Sequence, residues 1–194
     1  ALSTLADESP LRVPLKEYYG LLGAAPLASV LRGFAAAGAA NATEVRAVWS
    51  GPTFNGDGDH TTAALAHLID TAVEDVFAST YSATLDSDFV AALWRAIARG
   101  VRTTLLVDST VNGGGVAAQL KSKLTGARFL TYVPPTGQYG LQHSKVLIVD
   151  SRIAFVTSAN LSRAAAERNL EAGVVIHNAQ FASQMRQRFV KLRE

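Results

Sequence analysis

Cysteine is absent from the 194 residues. Disulfides, thiolate metal sites and thiol nucleophiles are excluded together. Charge is sparse: 18 Lys and Arg stand against 16 Asp and Glu, a formal net charge of +2. The pI of about 9.1 reflects that shallow excess. Charge therefore permits a nucleic acid partner without arguing for one. Long apolar runs are missing as well. Residues 1–40 are rich in Ala and Leu, but Asp7, Glu8, Arg12, Lys16, Glu17 and Arg32 interrupt them. No stretch reaches the roughly 18 apolar residues of a membrane span, so none is expected. No charged-then-apolar signal pattern opens the chain. It begins at Ala1 and not at Met, as expected of a processed or truncated chain. What is present is 48% hydrophobic and 18% charged residues, the balance of a globular protein with one full core.

Two regions are expected, a helical extension over 1–43 and a main domain over 44–194. In the first, Pro10, Pro14 and Pro26 punctuate short helices, and Ser29 to Ala37 has helical spacing. Gly33 to Ala42 reads as a helix end and connection. From Thr43 strands and helices alternate. Strands are expected at Glu44–Ser50, Val76–Ser82, Val101–Val107, Ala127–Val133 and Leu170–Ile176. A hairpin, Lys145–Val149 and Ile153–Thr157, turns across Asp150-Ser-Arg152. Helices are expected from Asp59 or Thr61 to about Val73, from Ser87 or Asp88 to Gly100, over Val116–Leu124, and over Ala179–Leu192. This is an α/β pattern, a mixed β-sheet flanked by helices on both faces.

The densest chemistry lies in the second half. His143-Ser-Lys145 is followed by Asp150, then by Ser158-Ala-Asn160 and Asn169-Leu-Glu171. His143 and Lys145, two apart at a strand entry, point to one face. A neutral imidazole is a nucleophile near neutral pH, and the ammonium beside it is a mobile point charge for a phosphate oxygen. Ser158 and Asn160 share a face and add a hydroxyl and an amide as donors. Glu171 is placed to accept from the second nitrogen of an imidazole and fix its tautomer. Asp150 reads as a turn residue that orders backbone or pairs with Arg152.

These elements, at these distances, resemble the HKD signature of the phospholipase D superfamily. The likeness is close over 141–176 and a compatible strand-helix pattern over 44–135. It implies an α-β-α sandwich. It implies that His143 attacks phosphorus, that Lys145, Ser158 and Asn160 hold phosphoryl oxygens, and that Glu171 orients the histidine. It implies no metal and no cofactor. The family uses two such elements and this chain has one, so a homodimer pairing two copies of His143 is expected. One departure stands out: Thr157 occupies the place where the family has Gly before the serine. Positive φ there would be costly for a β-branched residue. Val48-Trp-Ser-Gly-Pro52, the Thr61–Leu68 helix and the helical extension are similar to the phospholipase D-like proteins of DISARM anti-phage systems. That likeness implies a nucleic acid substrate, defence-system protein partners and a bacterial cytoplasmic setting. Three functions follow: a nuclease, a lipid phosphodiesterase or phosphatidyl transferase, and a catalytically quiet binding subunit.

Other residues read more plainly. His60 and His67 lie seven apart on one helical face, without a carboxylate between them at ligand spacing, so a solvated face is expected. His177 reads as a strand-end surface residue. Asn112-Gly-Gly-Gly115 lacks the pattern of a phosphate loop and reads as a flexible loop at a strand's carboxyl end. Trp49 and Trp94 read as core or interface packing. Arg186, Arg188, Lys191 and Arg193 suit either phosphate contacts or a solvated helix end.

Overall fold

A computed structural model describes residues 12–40, 42–50, 61–132 and 134–191. Pro10, the Gly51-Pro52 step, Asp59, His60 and Arg193 lie outside them. The chain divides into two compact units, Ala1–Ala42 and Thr43–Glu194.

The first unit holds α1 (Arg12–Leu22) and α2 (Ala24–Ala40). Pro14 and Pro26 are each the third residue of a helix. There an N–H would have no intrahelical acceptor, so proline costs little. Gly23 separates the helices with φ of +76°, and its N–H donates to Tyr19 O at 2.9 Å. That is a left-handed helix stop. Helix α2 runs to Ala40, past the connection expected from Gly33. The alanine run is strong enough to carry Gly33 and Gly38 along.

The second unit is a seven-stranded sheet in the order β1-β7-β6-β5-β2-β3-β4. The strands are β1 (Glu44–Ser50), β2 (Asp75–Thr80), β3 (Arg102–Val107), β4 (Arg128–Thr131), β5 (Val146–Val149), β6 (Ile153–Thr157) and β7 (Glu171–His177). Strands β2, β3 and β4 run parallel. Strand β5 is antiparallel to β2, and β6, β7 and β1 continue antiparallel from it. The sheet is mixed because α3 (Thr61–Asp70), α4 (Asp88–Ala98) and α5 (Gly115–Lys123) lead into successive parallel strands, whereas a short turn joins β5 to β6. In that turn Asp150 and Ser151 both have φ of +51°, and Arg152 N–H donates to Val149 O at 2.9 Å. Left-handed centres of this kind match the twist of the flanking strands.

Helices cover both faces. On one, α3, α4 and α5 pack over Val76, Ala78, Leu105, Leu147, Phe155 and Val175. On the other, α7 (Ala179–Lys191) sets Ala182, Met185 and Phe189 over Phe77, Leu106, Ile148 and Ala154. Phe77 and Phe189 stack with centroids 5.3 Å apart. Central β2 and β5 are buried at every position, as strands covered on both faces must be. Ser87 caps α4, its hydroxyl accepting from Val90 N–H.

Three details refine the expectation. A five-residue helix, α6 (Arg163–Glu167), starts at Ser162, whose hydroxyl accepts from Ala165 N–H. Its length is too short for a periodicity signal. Trp49 and Trp94 are 53% and 56% exposed, so of core and interface packing, the two alternatives expected, the core is excluded. Arg186 is paired with buried Asp75 at 2.5 Å, which removes it from the candidate phosphate contacts.

Gly173, opposite Val48 and Thr157 in the sheet, is demanded by space. A Cβ there would lie 2.6 Å from Phe155 Cε2 and 2.8 Å from its Cζ. Phe155 is fully buried and cannot swing aside. Gly173→Ala is expected to cost about 1–3 kcal/mol, read as a lower urea midpoint with an unchanged slope.

Candidate active site

The candidate residues gather at one end of the sheet. His143 and Lys145 precede β5, Ser158 follows β6, and Glu171 opens β7. The antiparallel run that follows the parallel strands places these ends side by side.

Lys145 is 8% exposed, while His143 is exposed. The Lys145 ammonium donates to His143 O at 2.8 Å. It also lies 3.1 Å from His143 Nδ1 and 3.2 Å from Nε2. Near-equal distances to both nitrogens set the charge against the imidazole ring itself. Burial pulls the Lys145 pKa below its ordinary 10.5, and the Glu171 carboxylate opposes that pull.

Glu171, also buried, is held by its neighbours. Ser158 Oγ donates to its Oε2 at 2.5 Å, and Asn169 Nδ2 donates to Oε1 at 3.0 Å. Ser158 Oγ in turn accepts from Ala172 N–H at 3.1 Å. The Ser158 proton is therefore committed to the carboxylate and not to a phosphate oxygen. Among the described residues, Glu171 makes these bonds and none to the His143 of its own chain. Asn160 Oδ1 accepts from Ser82 N–H at 3.4 Å, which leaves its amide N–H donors uncommitted among the described residues. Thr157 is not among the residues with positive φ. It ends β6, and its hydroxyl donates to Ala172 O and accepts from Ala159 N–H. The Gly-to-Thr departure therefore carries no backbone strain here.

Sequence reasoning missed the support beneath the histidine. Residues 138–145 form no regular element, so side chains must replace the missing ladder bonds. Buried Gln142 does this: its Nε2 donates to Ser79 Oγ at 2.6 Å and Leu106 O at 3.1 Å. Its Oε1 accepts from Ser144 N–H at 2.8 Å. Gln142 N–H donates to Asp108 Oδ2 at 2.9 Å. Asp108 Oδ1 accepts from the N–H and hydroxyl of Thr110 and from Val111 N–H. This ties the glycine segment, a turn over Val111–Gly114 with Asn112 and Gly113 in left-handed conformation, to the histidine's approach. Burial raises the Asp108 pKa, but the Thr110 hydroxyl and the Thr110, Gln142 and Val111 amides together hold it below 3.8. The available signal was position, since Ser79 and Asp108 lie at the carboxyl ends of parallel strands. Tyr81, just past β2, was missed too. Its ring lies 4.9 Å from that of His143.

Asp150 sits at the other end of β5. Its Oδ1 accepts from Glu74 N–H at 2.8 Å and Asp75 N–H at 2.9 Å, and its Oδ2 from Val73 N–H at 3.1 Å. Backbone ordering is its geometry, with Arg152 a smaller electrostatic neighbour. Burial works against its charge, yet these amides outweigh it and hold the pKa below 3.8. Exposed His67 lies on α3 and half-buried His177 ends β7, both away from these residues in the chain's topology. Among the described residues, no group of three or more His, Asp or Glu side chains is placed to hold a metal. No helix among them is long and apolar enough to cross a membrane.

Asp150→Asn is expected to cost about 1–3 kcal/mol at neutral pH, because one acceptor oxygen becomes a donor facing N–H groups. A depressed folded pKa contributes stability above the unfolded value and loses it as pH falls through the folded one. The gap between wild type and variant should therefore narrow below about pH 4, measured by denaturant titration at several pH values.

Comparison with known proteins places this geometry. Residues 65–193 match the family described as cardiolipin synthase, PLD-like domain. A phospholipase D of Rickettsia bellii is 34% identical over 125 residues, 62% of this chain and 58% of that protein. One from Rickettsia conorii is 30% identical over the same shares. The chain thus spans under two thirds of these relatives' length. Among solved structures, the phospholipase D family member Nuc of Salmonella typhimurium is 25% identical with a TM-score of 0.64. The match covers 77% of this chain and 93% of that one. NucT of Helicobacter pylori, 22% identical, shares the fold with a TM-score of 0.61 over 77% of this chain and 96% of that one. With the family match extending over well more than half its length, the chain belongs to the phospholipase D superfamily.

Proposed function

We propose that this chain is a metal-independent phosphodiesterase that cleaves DNA or RNA through a phosphohistidine, in a site built by two copies of the chain. The observation that carries the reading is the contact between the Lys145 ammonium and the His143 ring. It pairs a nucleophile with a cation for phosphate at the open end of the sheet. In the first step an imidazole nitrogen of His143 bonds to phosphorus and the bond to the leaving oxygen breaks. His143 of the second copy gives that oxygen its proton. It then takes a proton from water, whose oxygen displaces the first imidazole and releases the phosphate. Lys145 and the free amide of Asn160 hold the non-bridging oxygens. Glu171, unengaged with its own His143, faces the imidazole of the second copy, and Ser158 acts by holding that carboxylate.

The nucleic acid reading rests on the single HKD element and on the likeness of Val48-Trp-Ser-Gly-Pro52, the Thr61–Leu68 helix and the helical extension to DISARM phospholipase D-like proteins. Anti-phage defence in a bacterial cytoplasm, with protein partners of such a system, is the setting that goes with it. Phospholipid headgroups are the second reading, favoured by the name phospholipase D carried by both rickettsial relatives. A quiet binding subunit has no support from the intact His143–Lys145 contact.

Side-by-side digestion of labelled DNA, RNA and phosphatidylcholine is expected to show cleavage of nucleic acid. Turnover should survive EDTA and vanish in His143→Ala. Mixing wild-type and His143→Ala chains through a denaturation and refolding cycle tests the shared site. Specific activity should fall as the square of the wild-type fraction. A linear fall would mean that each chain acts alone.

A further inference from the structure

We propose that Tyr81 is a positioning residue for the His143–Lys145 pair, its ring setting the plane of the imidazole and facing the ammonium. The inference rests on the phosphodiesterase reading and holds whichever diester is the substrate.

Tyr81 touches both partners. Its ring centroid lies 4.9 Å from that of His143, with the planes tilted by 56°. Lys145 Nζ lies over the Tyr81 ring, 5.9 Å from its centroid. The Lys145 ammonium and the Tyr81 ring thus both lie against the His143 ring. An exposed imidazole turns about two side-chain bonds unless something restricts it. In-line attack on phosphorus needs one orientation, and small misplacements are costly. An aromatic wall supplies that restriction without competing for either ring nitrogen, which a hydrogen-bonding side chain would do.

The wall is itself held. Thr80 Oγ1 donates to Ser82 O at 2.6 Å and accepts from Leu161 N–H at 3.3 Å. Ser82 N–H reaches Asn160 Oδ1, and Thr84 N–H donates to Leu161 O at 3.0 Å. Both neighbours of Tyr81 are therefore anchored to the segment that presents Asn160. The same short stretch of backbone sets the histidine's wall and the amide aimed at phosphate.

The second effect is on charge. Lys145 must be protonated to hold phosphate, and burial works against that. The charged and titratable groups facing it are the His143 ring from its own segment, Tyr81 from the end of β2, and Glu171 from the start of β7. The negative face of an aromatic ring attracts a cation, so the phenol ring adds to Glu171 in keeping the ammonium charged. Its removal lowers the pH at which Lys145 deprotonates.

The full chain, assayed with bis(p-nitrophenyl) phosphate, tests this. Tyr81→Leu should lower kcat about 10- to 100-fold, with KM little changed. The alkaline limb of the pH profile should move to lower pH, and the thermal midpoint should stay near that of wild type. Tyr81→Phe, which keeps the ring, should restore kcat to within about threefold. A readout independent of turnover is the His143 ring proton in NMR, which should lose its ring-current shift in Tyr81→Leu and keep it in Tyr81→Phe. An unchanged kcat and limb in Tyr81→Leu would overturn the proposal. So would a Phe variant as damaged as Leu, since the hydroxyl would then be the acting group. A wild-type chain inert toward every diester would instead refute the phosphodiesterase reading. The ring-proton comparison would still decide whether Tyr81 holds the imidazole.

Discussion

A cation withdrawn from water beside an imidazole is the constraint on which this site depends. Lys145 is 8% exposed, and an ammonium in that position needs partners. It finds a carbonyl at residue 143, the ring of His143, the face of Tyr81 and the charge of Glu171. These partners come from three separate parts of the chain. Holding that one charge therefore fixes the relative placement of the end of β2, the approach to β5 and the start of β7.

The topology makes this convergence possible. Parallel β2, β3 and β4 deliver their carboxyl ends to one edge of the sheet. Strand β5 then enters antiparallel to β2, and its first residues meet the last of β2. The turn at Asp150–Ser151 sends β6 back, so that Ser158 emerges at the same edge. Asp150, at the opposite end, pins that turn to the backbone entering β2. The motif thus has a chemical end and a mechanical end, about a strand apart. The buried amide of Gln142 does similar work on the chemical side. It bonds an irregular segment at the sheet edge to Ser79 of β2 and Leu106 of β3 in place of ladder bonds.

Much of this was legible in the residues. The alternation of strands and helices, the β5–β6 hairpin and the Ser87 cap are local signals, and each appears at its expected place within about three residues. The backbone-ordering geometry expected of Asp150 is likewise present. Less legible was anything set by distant contacts. The Trp49 and Trp94 side chains suit a core or an interface by type, and only their half exposure excludes the core. Arg186 looked free until Asp75, 111 positions away in sequence, was placed against it. Ser158 looked like a phosphate donor, but its proton goes to Glu171 across β6 and β7.

The sequence by itself determined the family and the class of the fold. Residue types at fixed spacing and the periods of apolar residues are properties of short stretches, and they survive without knowledge of the rest. Only the tertiary structure decided which partner each polar group takes. Ser79, Tyr81, Asp108 and Gln142 carry no motif. They matter because the strand order brings residues tens of positions apart within hydrogen-bonding or ring-contact distance, and buried polar groups such as Gln142 must find partners there.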